Sequence, residues 1–237
     1  METIIERLKE RDWTQTAEDL HTQGYALLPR VLTWAECAAL TDGYADPDAY
    51  RKTVQMERYR FGQGQYKYFR YPLPQLLADI RATVYPFLAP VGNRWMEVLG
   101  EPTRYPLIHA QLLDACGSHG QTEPTALILS YAQGGFNTLH QDLYGEVYFP
   151  LQLVLFLDEP DEDYTGGEFV LTEQVPRAQS KATVLAPRRG DMLVFTTSFR
   201  PIKGSRGYYR AHVKHGVSPV RGGRRHTVGI IFHDATS

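Results

Sequence analysis

Ala126-Leu-Ile-Leu-Ser-Tyr131, then the turn Gly134-Gly135, then His140-Gln-Asp142: this run organises the reading of the 237-residue chain. The first six residues are mostly apolar and bounded by turn signals, and they read as a strand. The histidine and aspartate that follow stand two apart, and on extended chain such a pair points to one face. A second strand-like run, Tyr208 to Val217, carries His215, and a third runs from Arg225 to His233. Two histidines and one carboxylate can hold a divalent metal while leaving coordination positions open. Arg225, ten residues after His215, offers a guanidinium that grips a carboxylate through two parallel hydrogen bonds. His-x-Asp alone is common by chance. Followed by a distant histidine and an arginine, each within a strand pattern, it is far more specific.

Outward from this run the chain keeps a strand-and-turn pattern. The expected strands are Leu127–Tyr131, Val147–Leu157, Glu168–Leu171, Ala182–Ala186, Met192–Thr196, Tyr208–Val217 and Thr227–His233. Pro, Gly and Asp clusters separate them, as in an all-β sandwich or barrel. The N-terminal half reads differently. Ile4 to Arg11 and Ala17 to Gln23 predict short amphipathic helices, Tyr25 to Leu28 a strand, and Thr33-Trp-Ala-Glu36 a capping box opening a helix to about Gly43. Leu73 to Leu99 predicts a helix broken near Pro86 and Pro90, and Leu107 to Leu112 a short strand. Residues 58–72, Arg-Tyr-Arg-Phe-Gly-Gln-Gly-Gln-Tyr-Lys-Tyr-Phe-Arg-Tyr-Pro, predict a hairpin turning near Gly62 and Gly64.

With 43% hydrophobic and 22% charged residues, global disorder is excluded. The two cysteines, Cys37 and Cys116, form no CxxC, which argues against a disulfide framework or a cysteine zinc site. Charges within the first ten residues and the lack of a long apolar run argue against a signal peptide or membrane span, so a cytoplasmic enzyme is expected. The net charge of −2 hides an uneven distribution. Residues 51–71 carry six basic groups and one acidic, and residues 188–237 carry ten and two. Such asymmetry predicts an anionic partner, with two solvated faces as the bland alternative.

Ser130 to Ala235 resembles the catalytic core of the Fe(II)/2-oxoglutarate-dependent dioxygenases. The stretch His215-Gly-Val-Ser-Pro-Val-Arg-Gly-Gly-Arg-Arg225 resembles their prolyl-hydroxylase-like branch. The runs His140 to Glu146, Thr165 to Gln174 and Gly229 to Ala235 are similar to a prokaryotic group linked by analogy to oxidative repair of alkylated DNA. The resemblance implies a double-stranded β-helix, or jelly roll, over residues 126–237 behind an α-helical N-terminal half, together one domain. It implies Fe(II) held by His140, Asp142 and His215, with 2-oxoglutarate and O2 filling the open positions. Hydroxylation of a substrate C–H bond would then release succinate and CO2.

On the same footing Arg225 is expected to pair with the distal carboxylate of 2-oxoglutarate, with Tyr131, Thr227 and Gln152 around it and Phe156 on the face of Gln152. Arg224 is the rival to Arg225, and parity alone does not choose between them. His212 is expected to be structural. His233 shares the parity of Arg225 but lies roughly 26 Å along an ideal strand. A zinc hydrolase would also use three protein ligands, but it has no evident need for Arg225.

Residues 58–72 are expected to form a substrate-facing lid. Tyr66 and Tyr68 would stack on a flat substrate and Lys67 and Arg70 would meet phosphates, with Tyr144 beside them. Alkylated single-stranded nucleic acid is the first substrate expected, although Gly229-Ile-Ile-Phe-His233 replaces the second-arginine pattern of the well-known repair dioxygenases. A peptide or a small metabolite is the alternative. A non-catalytic jelly-roll binding or sensor protein is a third reading, against which the intact triad argues.

Overall fold

Two antiparallel sheets face each other in the computed structural model, which describes residues 2–237. The N-terminal half supplies strands Tyr25–Leu28 (β1), Tyr50–Gln55 (β2), Gly62–Gln63 (β3) and Gln65–Phe69 (β4). Then come Leu127–Ala132 (β5), Phe136–His140 (β6), Leu151–Phe156 (β7), Tyr164–Gly166 (β8), Phe169–Gln174 (β9) and Lys181–Leu185 (β10). Met192–Thr196 (β11), Phe199–Gly204 (β12), Gly207–Val217 (β13) and Val220–Ile231 (β14) complete the set. The larger sheet runs β1-β11-β7-β14-β5-β4-β2, with β8 on β14; the smaller runs β10-β9-β13-β6-β3, with β12 on β13. This is a jelly-roll type of arrangement whose sheets do not close. Val154, Phe156, Leu193 and Phe195 of the larger sheet meet Phe169, Leu171 and Val213 of the smaller in a buried layer between them.

Helices Ile4–Lys9 (α1), Trp13–Gln23 (α2), Trp34–Asp42 (α3), Gln75–Val98 (α4) and His109–Ser118 (α5) join the main core with the larger sheet. The Thr33/Glu36 capping box forms, and Glu36 also pairs with Arg7 at 2.6 Å. Gly24 closes α2 in the left-handed region. No helix is long and apolar enough to cross a membrane.

Several expectations change. Helix α4 is continuous through Pro86 and Pro90. Each proline removes one backbone donor, but burial of Leu77, Ile80, Val84, Tyr85, Leu88 and Trp95 against the sheet outweighs that loss. The strand expected at Leu107–Leu112 is instead the start of α5: His109, Leu112 and Cys116 are buried at helical spacing. The strand expected from Val147 begins at Leu151, because Gln121 caps the backbone of Val147 and Pro150 has no N–H to pair. The N-terminal half is not simply helical, since β1 to β4 extend both sheets.

The expected hairpin in residues 58–72 is also replaced. Gly62 and Gln63 pair with β6 of the smaller sheet, whereas Gln65–Phe69 pairs with β2 and β5 of the larger. Gly64, at φ +148°, carries the chain from one sheet to the other, and a Cβ there would come 2.8 Å from the Tyr131 ring.

Candidate active site

His140 is the last residue of β6 and lies directly across from His215 of β13. Asp142 follows the strand end, and its carboxylate turns back between the two imidazoles. Its Oδ2 lies 3.2 Å from His215 Nε2 and its Oδ1 3.5 Å from His140 Nε2. One ligand atom from each of the three lies within 4.8 Å of the others. The Thr138 carbonyl meets His140 Nδ1 at 2.8 Å, which sets the tautomer and leaves Nε2 aimed at the cluster. Phe169 stacks on the His215 ring and Phe195 meets it edge-on, fixing its plane.

Burial works against ionisation of Asp142, but His215 and His140 outweigh it and hold the carboxyl well below its usual range. Burial and the neighbouring His140 lower His215. For His140 burial acts in the same direction, yet the hydrogen bond and charge of Asp142 prevail and raise it. The result is an ionised carboxylate between two imidazoles, a donor set suited to a divalent metal with open positions.

Beside the triad lies a cavity of about 60 Å³ between the sheets. Tyr131, Gln152, Arg225 and Thr227 line it together with His140, Asp142 and His215. Arg225 is 1% exposed and sits across from Tyr131. Its guanidinium carbon lies 5.5–5.9 Å from the ring centres of Phe156, Tyr131 and Tyr164. The close approach is made possible by Gly167, whose Cβ would stand 2.9 Å from Arg225 Cδ. Arg225 Nε and Nη1, Tyr131 Oη and Gln152 Nε2 are all buried with no hydrogen-bond partner. Four unsatisfied polar atoms in one place are costly in a protein interior unless a polar guest completes them.

The neighbouring residues take other roles. Arg224 is exposed and donates to Ser130 Oγ at 3.2 Å. His226 is tied to Asp158, His212 faces solvent, and the buried His233 accepts from the backbone of Phe149.

A second chamber of about 250 Å³ opens on His140 and Asp142 of the same triad. Phe61, Tyr66, Tyr68, Leu143 and Tyr144 line it. Tyr144 also donates its hydroxyl to Asp142 Oδ1 at 3.1 Å, and Tyr68 donates to Tyr144 at 3.2 Å.

Lys67 and Arg70 do not face this chamber, contrary to expectation. Strand alternation turns Lys67 to the other side of β4, where its ammonium donates to the Tyr44 carbonyl at 2.7 Å over the Tyr44 and Tyr50 rings. Arg70 lies past the strand end and donates to the Tyr50 carbonyl. The sequence reading passed over Asn137, which lines both cavities, and Thr138, which holds His140. Their place within two or three residues of His140 was the available signal.

Residues 64–235 match a protein family described as "Oxygenase, catalysing oxidative methylation of damaged DNA". The chain belongs to this oxygenase family. The oxygenase is also 46% identical, over 167 residues, to uncharacterised proteins from two strains of Mycobacterium tuberculosis, a match covering 70% of this chain and 72% of theirs. Its fold is similar to that of a Pseudomonas putida prolyl-4-hydroxylase, with TM-score 0.57, 16% identity, and coverage of 95% of this chain and 100% of that one. A Trichoplax adhaerens prolyl hydroxylase, solved with a hypoxia inducible factor peptide, gives TM-score 0.56 at 14% identity over 96% and 95% of the two chains. These distant structures share the fold with the oxygenase.

Proposed function

We propose that this oxygenase is an Fe(II)/2-oxoglutarate-dependent dioxygenase that oxidatively demethylates alkylated bases in single-stranded nucleic acid. The observation that carries the cofactor reading is the set of unpartnered donors on Arg225, Tyr131 and Gln152 in a cavity shared with the His140, Asp142 and His215 triad. A dicarboxylate with one end at the metal and the other at Arg225 satisfies that set.

In this reading His140, Asp142 and His215 hold the iron. Arg225 binds the distal carboxylate of 2-oxoglutarate, with Tyr131, Thr227 and Gln152 as hydrogen-bonding neighbours. When bound, iron with 2-oxoglutarate and dioxygen supplies the oxidising power for hydroxylating a C–H bond. The apolar walls exclude water from that chemistry. Hydroxylation of an N-methyl group gives a hemiaminal that collapses to the free N–H and formaldehyde, so no further acid or base is needed. Oxygen is conserved: one atom of O2 ends in formaldehyde and the other in succinate, with CO2 released.

The aromatic outer chamber supports a flat substrate. Tyr66, Tyr68, Tyr144 and Phe61 offer ring faces and edges to a base placed beside the triad. The family description points to the same substrate class. The test is succinate and formaldehyde release with Fe(II), 2-oxoglutarate and a panel of methylated oligonucleotides, proline peptides and free amino acids. Equal release of both products with methylated oligonucleotides is expected. Succinate release driven only by a peptide or an amino acid would overturn the nucleic-acid reading.

A further inference from the structure

We infer that the rim of the outer chamber carries a stacking platform, Tyr59 and Phe61, for the nucleobase adjacent to the one that enters the chamber. This deepens the nucleic-acid reading above and rests on it. The two rings lie 5.5 Å apart with their planes 18° from parallel. They are 57% and 44% exposed. Phe61 also lines the chamber, and Leu143, 55% exposed, forms another part of its lining. An apolar patch continuous with a cavity at a reactive centre differs from a scattered surface side chain.

The backbone beneath the rings is firmly held. The Phe61 carbonyl accepts from both the backbone N–H and the hydroxyl of Thr138, each at 2.8 Å. Gly62 and Gln63 pair with Asn137 and Phe136, and Gly64 donates to the Glu57 carboxylate at 3.0 Å. Little ordering remains to be done when a ligand stacks there.

Charge selects the occupant. Arg58 and Arg60 bracket Tyr59 in the chain and are exposed. Glu57, the acidic residue of the stretch, is engaged by Gly64. Aromatic faces flanked by free cations suit bases joined by phosphodiesters, whereas a peptide with apolar side chains has no use for the arginines. A single strand that turns one base into the chamber leaves its neighbour at the rim.

The test is anisotropy titration of the full chain with Fe(II) and 2-oxoglutarate under anaerobic conditions. The probes are trinucleotides with a central N-methylated adenine, carrying either normal or abasic flanks. Wild type should bind the abasic-flanked probe about tenfold more weakly. Tyr59→Ala should lose about tenfold on the normal probe and less than about twofold on the abasic one. Tyr59→Leu, which keeps apolar bulk, should behave likewise, and both should melt as wild type because the ring is exposed. Arg58→Ala should lower the salt slope by about one contact. Equal losses on both probes, or none on either, would overturn the platform while leaving the demethylase reading intact. Failure of wild type to bind or oxidise any methylated oligonucleotide would overturn both.

Discussion

Tyr144 donates its hydroxyl hydrogen to Oδ1 of Asp142 at 3.1 Å and accepts one from Tyr68 at 3.2 Å. The carboxylate is thus oriented from outside the triad as well as from within. Groups that orient a metal ligand typically contribute 10–100-fold in metal affinity. Tyr144→Phe, which removes only the donor, should weaken Fe(II) or Co(II) binding about tenfold in calorimetric titration. Unchanged metal affinity would reduce Tyr144 to a wall of the outer chamber.

Arg225 and Arg224 are neighbours in the chain on opposite faces of β14. Arg225→Ala should weaken 2-oxoglutarate binding on the order of a hundredfold, since each charge-assisted hydrogen bond contributes about 1.5–3 kcal/mol. Metal binding should persist. Arg224→Ala, which removes a part-buried contact with Ser130, should leave 2-oxoglutarate affinity within about twofold. The reverse pattern, read by equilibrium binding, would move the anchor to Arg224.

Lys67 is now expected to act on stability. Its ammonium lies 4.1 Å from the Tyr44 ring centre and donates to the Tyr44 carbonyl. Lys67→Ala should cost about 1–2 kcal/mol in urea unfolding. It should leave the salt dependence of oligonucleotide binding unchanged, in contrast with Arg58→Ala. A fall in that slope would return Lys67 to the substrate path.

His109 and His233 tie stability to pH. Burial, helped by the Arg81 charge, lowers His109 from 6.5 to about 3 and His233 from 6.5 to about 4. Both therefore stay neutral in the fold while the same residues in the unfolded chain take up protons below about pH 6.5. Stability is full above that pH and declines below it toward pH 4, at up to about 1.4 kcal/mol per pH unit for each histidine. His109→Gln retains a donor for the Phe232 carbonyl, met at 2.8 Å, and removes one of the two titrations. The loss of unfolding free energy between pH 6 and 5 should shrink by about 1 kcal/mol. An unchanged slope would exclude His109 as a contributor.

Arg81, 2% exposed on α4, pairs with Asp234 at 2.7 Å and donates to the carbonyls of Ile231 and Phe232. Asp234→Ala would strand this cation in the core and should cost about 3–5 kcal/mol, visible as a lowered melting temperature. A change below about 1 kcal/mol would mean that the carbonyls suffice together with Tyr71, whose hydroxyl accepts from Arg81 Nη1 at 2.8 Å.

The parts legible in the sequence were those set by local rules. That His140, Asp142, His215 and Arg225 line one cavity was legible because strand parity restricts which side chains share a face. The Thr33/Glu36 cap and the Gly24 stop follow local rules as well. What the sequence hid was decided across the fold. Nothing local distinguishes Gln65–Phe69 as a partner of β5, and the alternation in that strand showed two faces without saying which looked at the triad. Both sides of β4 turned out to be covered, Tyr66 and Tyr68 by the chamber and Lys67 by Tyr44 and Tyr50. Helix α4 kept its prolines because tertiary burial overrode propensity. The buried Arg81 was hidden in an apolar helical pattern because its partner lies 153 residues away.

The crossing at Gly64 has a consequence for how molecules enter. Residues 62–63 are sewn into one sheet and residues 65–69 into the other. That stretch cannot swing aside like a door without unzipping ladders on both sides. The wall of the outer chamber that carries Tyr66 and Tyr68 is therefore fixed between the two sheets. A group that enters the chamber must fit that wall as it stands.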